Sequence, residues 1–145
     1  MSDSNLIAAS SGTAGATARF SIGIDLGTTH CALSYVDRSA SDGDTVVQGV
    51  LAIPQLTGPA SVDAKPLLPS FLYLPHESEL TPADMALPWG VSQNFLVGEF
   101  ARSRGAATPI RLVSSAKSWL CHPGVDRRAP LLTADAPAVR VKIDF

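Results

Sequence analysis

Short apolar runs separated by turn-forming residues follow one another along the first third of the chain. Residues 20–24 and 31–36 are two such runs with Gly27 between them, and residues 45–53 form a third run after the turn-rich segment 37–44. Runs of this length between turn residues are typical of strands. Because the connections are short, we expect the three runs to form an antiparallel β-meander.

The middle of the chain is rich in proline. Residues 54–88 hold seven of the eleven prolines, which excludes a long helix there. We expect irregular chain in this region, with a short strand at residues 70–74 and an acidic surface excursion at residues 76–90. A further short strand is expected at residues 94–98.

Helical patterns are confined to the residues that follow. Residues 99–104 predict one or two helical turns that stop at Gly105. The strongest helix candidate covers residues 109–120, because Thr108 can cap it, proline is favoured at its first position and apolar residues recur at helical spacing. Residues 139–145 alternate apolar and charged side chains, as a strand does. Together these elements predict the α/β class.

Length and composition limit the organisation of the protein. The 145 residues have room for one domain, and 46% of them are hydrophobic, as expected for a globular protein. Residues 1–19 consist mostly of Ser, Ala, Gly and Thr, and we expect a disordered tail there unless the true start codon lies downstream. Residues 20–145 then form the domain.

Charge and cysteine content argue against several functions. The net charge of −2 gives no basic surface for nucleic acid, and no run of about 18 apolar residues could cross a membrane. The first 19 residues lack the basic start and the continuous apolar run of a secretory signal. Two cysteines are too few for a disulfide framework. We therefore expect a cytoplasmic protein with neither nucleic acid nor a membrane as its partner.

The turn between the first two apolar runs carries the residues of chemical interest. Asp25 ends the first run, and Gly27, Thr28 and Thr29 follow. Glycine allows a tight turn and a close approach to the backbone, and the threonines add hydroxyl groups beside N–H donors. A nearby carboxylate could hold a hydrated Mg²⁺. This combination suits a nucleoside triphosphate, although an Asp-Leu-Gly sequence between strands can also be turn chemistry alone.

Residues 22–29, Ile-Gly-Ile-Asp-Leu-Gly-Thr-Thr, resemble the first phosphate-binding hairpin of the superfamily of actin, sugar kinases and heat-shock ATPases. The sequence of this stretch is most similar to that of the seventy-kilodalton (DnaK-type) heat-shock chaperones. Residues 69–73, Pro-Ser-Phe-Leu-Tyr, resemble the Thr-Pro-Ser strand of the same chaperones, with Leu68 in place of the threonine.

A third stretch also resembles the chaperone family. Its Val-Gly-x-x-Ala segment, the following proline and the lysine of its Lys-Arg-Leu-x-Gly helix end are matched without a gap by Val97, Gly98, Ala101, Pro109 and Lys117. After the lysine this chain reads Ser-Trp-Leu-Cys, so the family's arginine and glycine are lost. The resemblance covers residues 20 to about 122.

The resemblance implies a fold and a set of site residues. The fold would be the start of an actin-like (ribonuclease H-like) ATPase lobe, so that residues 20–145 are a partial nucleotide-binding domain comprising the first lobe and an incomplete upper subdomain. Asp25 would contact Mg²⁺ through water, and phosphate would be bound by Gly27, Thr28 and Thr29. Lys117 would have a catalytic role near the γ-phosphate and the attacking water. The implied cofactors are ATP and Mg²⁺.

The same resemblance leaves the activity of this chain open. The family's second phosphate motif, Asp-x-Gly-Gly-Gly-Thr, does not occur in the sequence. We therefore expect the N-terminal part of a chaperone ATPase, inactive by itself, with unfolded peptides and co-chaperones as partners only if the missing domains exist. The alternatives are a truncated, non-catalytic protein with no independent activity, or a relative of the sugar kinases and actin.

Overall fold

The computed structural model describes residues 18–90 and 93–124. It is rich in short strands and has few helices, which is compatible with the α/β class. In chain order the elements are β1 (Phe20–Leu26), β2 (His30–Asp37), β3 (Gln48–Val50), β4 (Ile53–Gly58), β5 (Ser61–Lys65), β6 (Leu68–Pro69), β7 (Phe71–Tyr73), β8 (Leu96–Val97), α1 (Glu99–Ala107), a 3-10 helix (Pro109–Arg111), β9 (Leu112–Ser114) and α2 (Ala116–Leu120). None of the helices in these two ranges has the length and apolar character needed to cross a membrane.

The first sheet contains the expected meander. β1, β2 and β3 pair antiparallel in that order, and β6 pairs with the first two residues of β2. The third strand is shorter than the predicted run of residues 45–53, because Thr45 is held in a turn by a bridge to Asp42. The two strand pairs β1–β2 and β2–β3 confirm the sequence prediction for this part of the chain.

The predicted irregular chain after Pro54 contains a strand pair that the sequence did not predict. β4 and β5 form an antiparallel hairpin, and Pro54 itself lies in β4 opposite Ala64. The turn of this hairpin contains Pro59 and Ala60, whose φ is 51°. Proline has no N–H donor and a fixed φ, and an edge strand can accommodate both. Proline density excluded a long helix correctly but did not exclude strands.

The β4–β5 hairpin is the second sheet, and the third sheet has the strand order β8-β7-β9. The hydrophobic core lies between these two sheets and α1, which packs against β7. The core residues are Leu56, Tyr73, Met85, Leu96, Phe100 and Ala101. Met85 belongs to the segment 76–90, and Leu80 and Leu87 of the same segment pack against the core. The expected surface excursion therefore supplies part of the core.

The helix boundaries after residue 98 differ from the prediction. α1 continues through Gly105 to Ala107 instead of stopping at the glycine. A Cβ at Gly105 would lie 2.3 Å from the Leu112 side chain, so the glycine allows α1 to approach the chain that follows. Its role is close packing rather than helix termination.

The long helix predicted at residues 109–120 does not form. The segment is divided into the 3-10 helix, β9 and α2, and Ser115 between β9 and α2 has a φ of 54°. β9 pairs antiparallel with β7, so that Leu112 lies opposite Tyr73 and Val113 opposite Leu72. The cross-strand hydrogen bonds and the burial of Leu112 against the core outweigh the helical preference of the local sequence.

The buried Gln55 and the half-buried Glu79 hold segments that are far apart in the sequence. The Gln55 amide nitrogen donates to the Leu67 carbonyl (2.9 Å), and its oxygen accepts from the Glu99 N–H (3.0 Å) at the start of α1. Glu79 accepts from the Tyr73 hydroxyl and pairs with Arg104 of α1. Burial by itself would raise the pKa of Glu79, but the His76 N–H, the Tyr73 hydroxyl and the Arg104 guanidinium outweigh it and lower the pKa.

Asp37 is the polar anchor at the end of β2. Its carboxylate accepts from Arg19 (2.8 Å) and from the hydroxyl and N–H of Ser39 (2.6 and 2.9 Å). The hydrogen bond from Arg19, followed by that from Ser39, holds the pKa of Asp37 well below its ordinary value of 3.8. Arg19, which the sequence prediction placed in the tail, is thus attached to the sheet. Residues 1–17 and the predicted strand at residues 139–145 lie outside the described residues.

We expect Gln55→Ala to destabilise the fold by about 2–3 kcal/mol, because it leaves the Leu67 carbonyl and the Glu99 N–H without partners. Urea unfolding monitored by circular dichroism measures the change. Gln48→Ala is the matched control, because Gln48 is exposed on β3 and should change the free energy of unfolding by less than about 0.5 kcal/mol. Equal effects of the two substitutions would contradict this role of Gln55.

Asp37→Asn should reduce the acid sensitivity of the protein. The lowered native pKa means that Asp37 stabilises the fold fully above its unfolded-state pKa of about 3.8 and loses this contribution as the pH falls further. Asp37→Asn should therefore lower stability at pH 7 and flatten its decline below pH 4, as measured by denaturant unfolding from pH 7 to 2. Asp44→Asn, in the exposed 43–44 turn, is the control and should leave the profile unchanged.

Candidate functional site

The tip of the β1–β2 hairpin is a tight turn formed by residues 27–29. The last pair of the ladder is Leu26 opposite Cys31. A Cβ at Gly27 would lie 2.1 Å from the backbone carbonyl oxygen of His30, well inside a van der Waals contact. Only glycine can therefore occupy position 27 in this turn. The glycine predicted from the sequence as a phosphate contact is required by the turn itself.

Ser70, between β6 and β7, holds the carbonyl side of this turn. Its N–H donates to the Thr29 carbonyl (2.9 Å), and its hydroxyl donates to the Gly27 carbonyl (2.8 Å). The Cys31 sulfur lies 3.5 Å from the same hydroxyl. Ser70 was not among the site residues predicted from the sequence. The signal was available in the Pro-Ser stretch at residues 69–70, but only the pairing of β6 with β2 shows what it contacts.

The donor side of the turn remains exposed. Thr28 and Thr29 are exposed, and their N–H groups donate to no backbone carbonyl of the described residues. Because Ser70 fixes the carbonyls of Gly27 and Thr29 on one side, the turn is held with its two threonine N–H groups and two hydroxyls available to a ligand. Such a set of donors suits the oxygens of an anion.

Asp25 lies one residue before the end of β1. It is opposite Ala32, so its side chain projects from the same sheet face as Ser21 and Gly23. The ion pairs found among the described residues use Asp37, Glu79 and Glu99, and the exposed Asp25 carboxylate takes part in none of them. On this face a shallow open groove is lined by Gly23, Ile24, Asp25, Ala32, Leu33, Ser34 and Val50.

Lys117 reaches the same end of β1 from α2. Its Nζ donates to the Leu26 carbonyl at 2.6 Å, across 91 positions of sequence. The left-handed conformation of Ser115 turns the chain from β9 into α2 and brings the lysine toward β1. The structure thus places Lys117 beside the hairpin that carries Asp25 and the threonines, although not on the long helix from which this was predicted. The catalytic role of Lys117 stays a prediction.

The arrangement combines an ammonium group, a carboxylate, two N–H donors and two hydroxyls at one end of a hairpin. The donors and the cation can bind an anion, and the single carboxylate can accept a hydrogen bond from water on a divalent cation. The residue types therefore fit a hydrated Mg²⁺ bound to phosphate groups. Within the described residues there is no group of three or more His, Cys, Asp and Glu side chains placed to hold a metal directly.

Comparisons with known proteins identify no family for this chain. No family model, no curated protein and no solved structure matches the chain. The resemblance to the heat-shock ATPases therefore rests on the motifs at residues 22–29, 69–73 and 97–117.

We expect Ser70→Ala to loosen the hairpin turn without unfolding the protein. The substitution removes the hydroxyl that holds the Gly27 carbonyl, at a cost of about 1 kcal/mol. Amide hydrogen exchange measured by NMR should accelerate at residue 70, whose N–H donates to the Thr29 carbonyl, and remain unchanged in α1. Ser21→Ala, on exposed β1, is the matched control. Unchanged exchange at residue 70 in Ser70→Ala would contradict the role given to this hydroxyl.

Proposed function

We propose that this chain carries the first phosphate-binding hairpin for Mg·ATP of a DnaK-type chaperone ATPase that acts in protein folding. The observation that carries the proposal is the contact between Lys117 and the end of β1. Residues 25–29 alone could be ordinary turn chemistry. A cation brought to the same turn from 91 positions away supports a site for an anionic ligand.

Each residue has a separate role in this proposal. The N–H and hydroxyl groups of Thr28 and Thr29 donate to phosphate oxygens, and Gly27 keeps the turn tight enough to present them. The Asp25 carboxylate would hold Mg²⁺ through a bound water. Lys117 would exchange its bond to the Leu26 carbonyl for one to a phosphoryl oxygen, where its charge would stabilise negative charge on the phosphate.

Bound Mg·ATP would supply the transferable phosphoryl group and the charge of the metal. Phosphoryl transfer needs groups placed around the phosphate from several sides. The described hairpin provides one of these sides, and its turn is exposed. We therefore expect the chain alone to bind ATP weakly or not at all and not to hydrolyse it. Unfolded peptides, co-chaperones and a cytoplasmic location belong to the same proposal and depend on the rest of such an ATPase.

The alternative with no catalytic function makes a different prediction about the same turn. A truncated protein without independent activity would hold Asp25 and Lys117 as ordinary surface charges, and nucleotides would not perturb the turn selectively. A sugar-kinase or actin-like relative would share the phosphate contacts, so titration with ATP does not separate it from the chaperone ATPase. The Val97 to Lys117 spacing is the feature that favours the chaperone family.

Titration of the 145-residue chain with Mg·ATP, followed by NMR, tests the proposal. We expect chemical shift changes at residues 25–29 at millimolar ATP and no phosphate release above the blank. Lys117→Met should weaken binding about tenfold, because it removes a charge-assisted hydrogen bond to phosphate.

Lys65→Met is the matched control for this titration, because Lys65 lies in β5 and pairs with β4 rather than with the hairpin. It should leave the affinity unchanged. Shift changes that avoid the turn, or that are the same in Lys117→Met and the unsubstituted chain, would contradict the proposal. Tight binding with steady phosphate release would show that the chain forms a complete site.

A further inference from the structure

β1 is an exposed strand with an apolar face. All seven of its residues are exposed, and Ile22, Ile24 and Leu26 each retain about 64–65% of their accessible surface. These side chains project from the same face as Phe20, because they occupy alternate positions. A contiguous apolar face on a soluble domain marks an interaction surface.

The outer edge of β1 is also unpaired among the described residues. β1 pairs with β2 along its full length, and the Arg38 N–H donates to the Arg19 carbonyl at the start of this ladder. The alternation of an antiparallel ladder then directs the N–H groups of Ser21, Gly23 and Asp25 toward β2. The backbone groups of Ile22 and Ile24 point away from β2, where a further strand could pair with them.

α2, the last helix of the described chain, contacts the end of β1 through Lys117. Leu26 has the same orientation as Ile24, so its carbonyl, which accepts from Lys117, also points away from β2. α2 therefore lies at the outer edge of β1, next to the hairpin tip. The described chain ends at Gly124, four residues beyond α2. Residues 125–145 therefore follow an element that contacts β1 at Leu26.

The last seven residues of the sequence match β1 in length and pattern. Val139, Val141, Ile143 and Phe145 are apolar, and the residues between them are charged. β1 has four apolar residues at the same spacing. The connection of residues 125–138 can span up to about 46 Å when extended, about twice the roughly 23 Å length of β1. The segment is thus long enough to reach the edge.

We propose that residues 139–145 add to the outer edge of β1 as an antiparallel strand. With Val139 opposite Leu26, the apolar residues of the two strands share one face, and Val141 and Ile143 lie opposite Ile24 and Ile22. The same register places Arg140 opposite Asp25, so that opposite charges meet on the other face. A shift by one residue would place the apolar side chains on the wrong face.

The other candidate for this edge is β1 of a second copy. Two β1 strands could pair antiparallel with Gly23 opposite Gly23, which would align their apolar faces. Asp25 would then lie opposite Ser21, and no basic side chain would pair with its carboxylate. The charge match with Arg140 and the contact of α2 with Leu26 favour the chain's own segment. This inference does not depend on nucleotide binding.

Engineered disulfides test the register. In a chain with Cys31→Ser and Cys121→Ser, we expect Asp25→Cys/Arg140→Cys to form an intramolecular disulfide under mild oxidation, because directly opposite residues have Cα atoms about 5 Å apart. Asp25→Cys/Lys142→Cys is the matched control. Its second cysteine lies two residues further along the strand, beyond the reach of a disulfide, and should stay reduced.

The cross-linked species distinguish the possible occupants of the edge. A disulfide found only between two chains on a non-reducing gel would assign the edge to a second copy and overturn the proposal. Equal cross-linking of both pairs, or none of the Asp25→Cys/Arg140→Cys pair, would also overturn it.

Hydrogen exchange provides an independent test that needs no cysteine. Val141→Pro removes an N–H that would pair with β1, and it should accelerate exchange at Ile22 and Ile24 at least about tenfold while Gly23, paired with β2, is unaffected. Thr133→Pro, in the connecting segment, is the matched control and should preserve the protection. Fast exchange at Ile22 and Ile24 in the unsubstituted chain, or protection that depends on protein concentration, would contradict the proposal.

Discussion

The structure depends on the pairing of residues 68–73 with two sheets at once. β6 pairs with the start of β2, and β7, one residue later, pairs with both β8 and β9. Ser70, between β6 and β7, hydrogen-bonds the carbonyls of the hairpin turn. Since β9 leads directly into α2, the position of Lys117 relative to the turn is fixed through these six residues. A shift in this pairing would separate the lysine from the hairpin.

Charged groups in this protein have two different environments. Asp37 and Glu79 are paired with Arg19 and Arg104. The hydrogen bonds from Arg19 and Ser39 lower the pKa of Asp37. The burial of Glu79 would raise its pKa, but the His76 N–H, the Tyr73 hydroxyl and Arg104 together lower it. The two ion pairs attach the ends of segments to the sheets and to α1. Asp25, by contrast, is exposed and outside these pairs. The paired carboxylates stabilise the fold, whereas the exposed Asp25 lies where a ligand could bind.

Both proposals involve the Asp25 side chain. Nucleotide binding would use its carboxylate toward water on a metal, and strand addition would place Arg140 opposite it. An arginine at this position would compete with the cation for the same negative charge. The exposure of β1 matters for both proposals, because the strand with the unpaired edge also ends in the turn that we propose to bind phosphate.

The sequence alone determined the local elements whose residues have a narrow conformational choice. The short apolar runs and the turn at Gly27 predicted the β1–β2–β3 meander, and the glycine is indeed required because a side chain would overlap the His30 carbonyl. The strand at β7 was predicted as well. Turn preferences and strand alternation depend on a few neighbouring residues, so both can be predicted from the sequence without knowledge of the fold.

The tertiary structure decided the elements whose local preference is outweighed by pairing and burial. Residues 109–120 have a helical pattern, yet Leu112 and Val113 form a strand because β7 offers hydrogen bonds and a buried neighbour. Gly105 does not end α1, because its missing side chain makes room for Leu112. The contacts of Ser70 with the turn and of Gln55 with α1 join residues more than 40 positions apart. Such contacts depend on which strands meet, and that choice is made by the free energy of the whole chain.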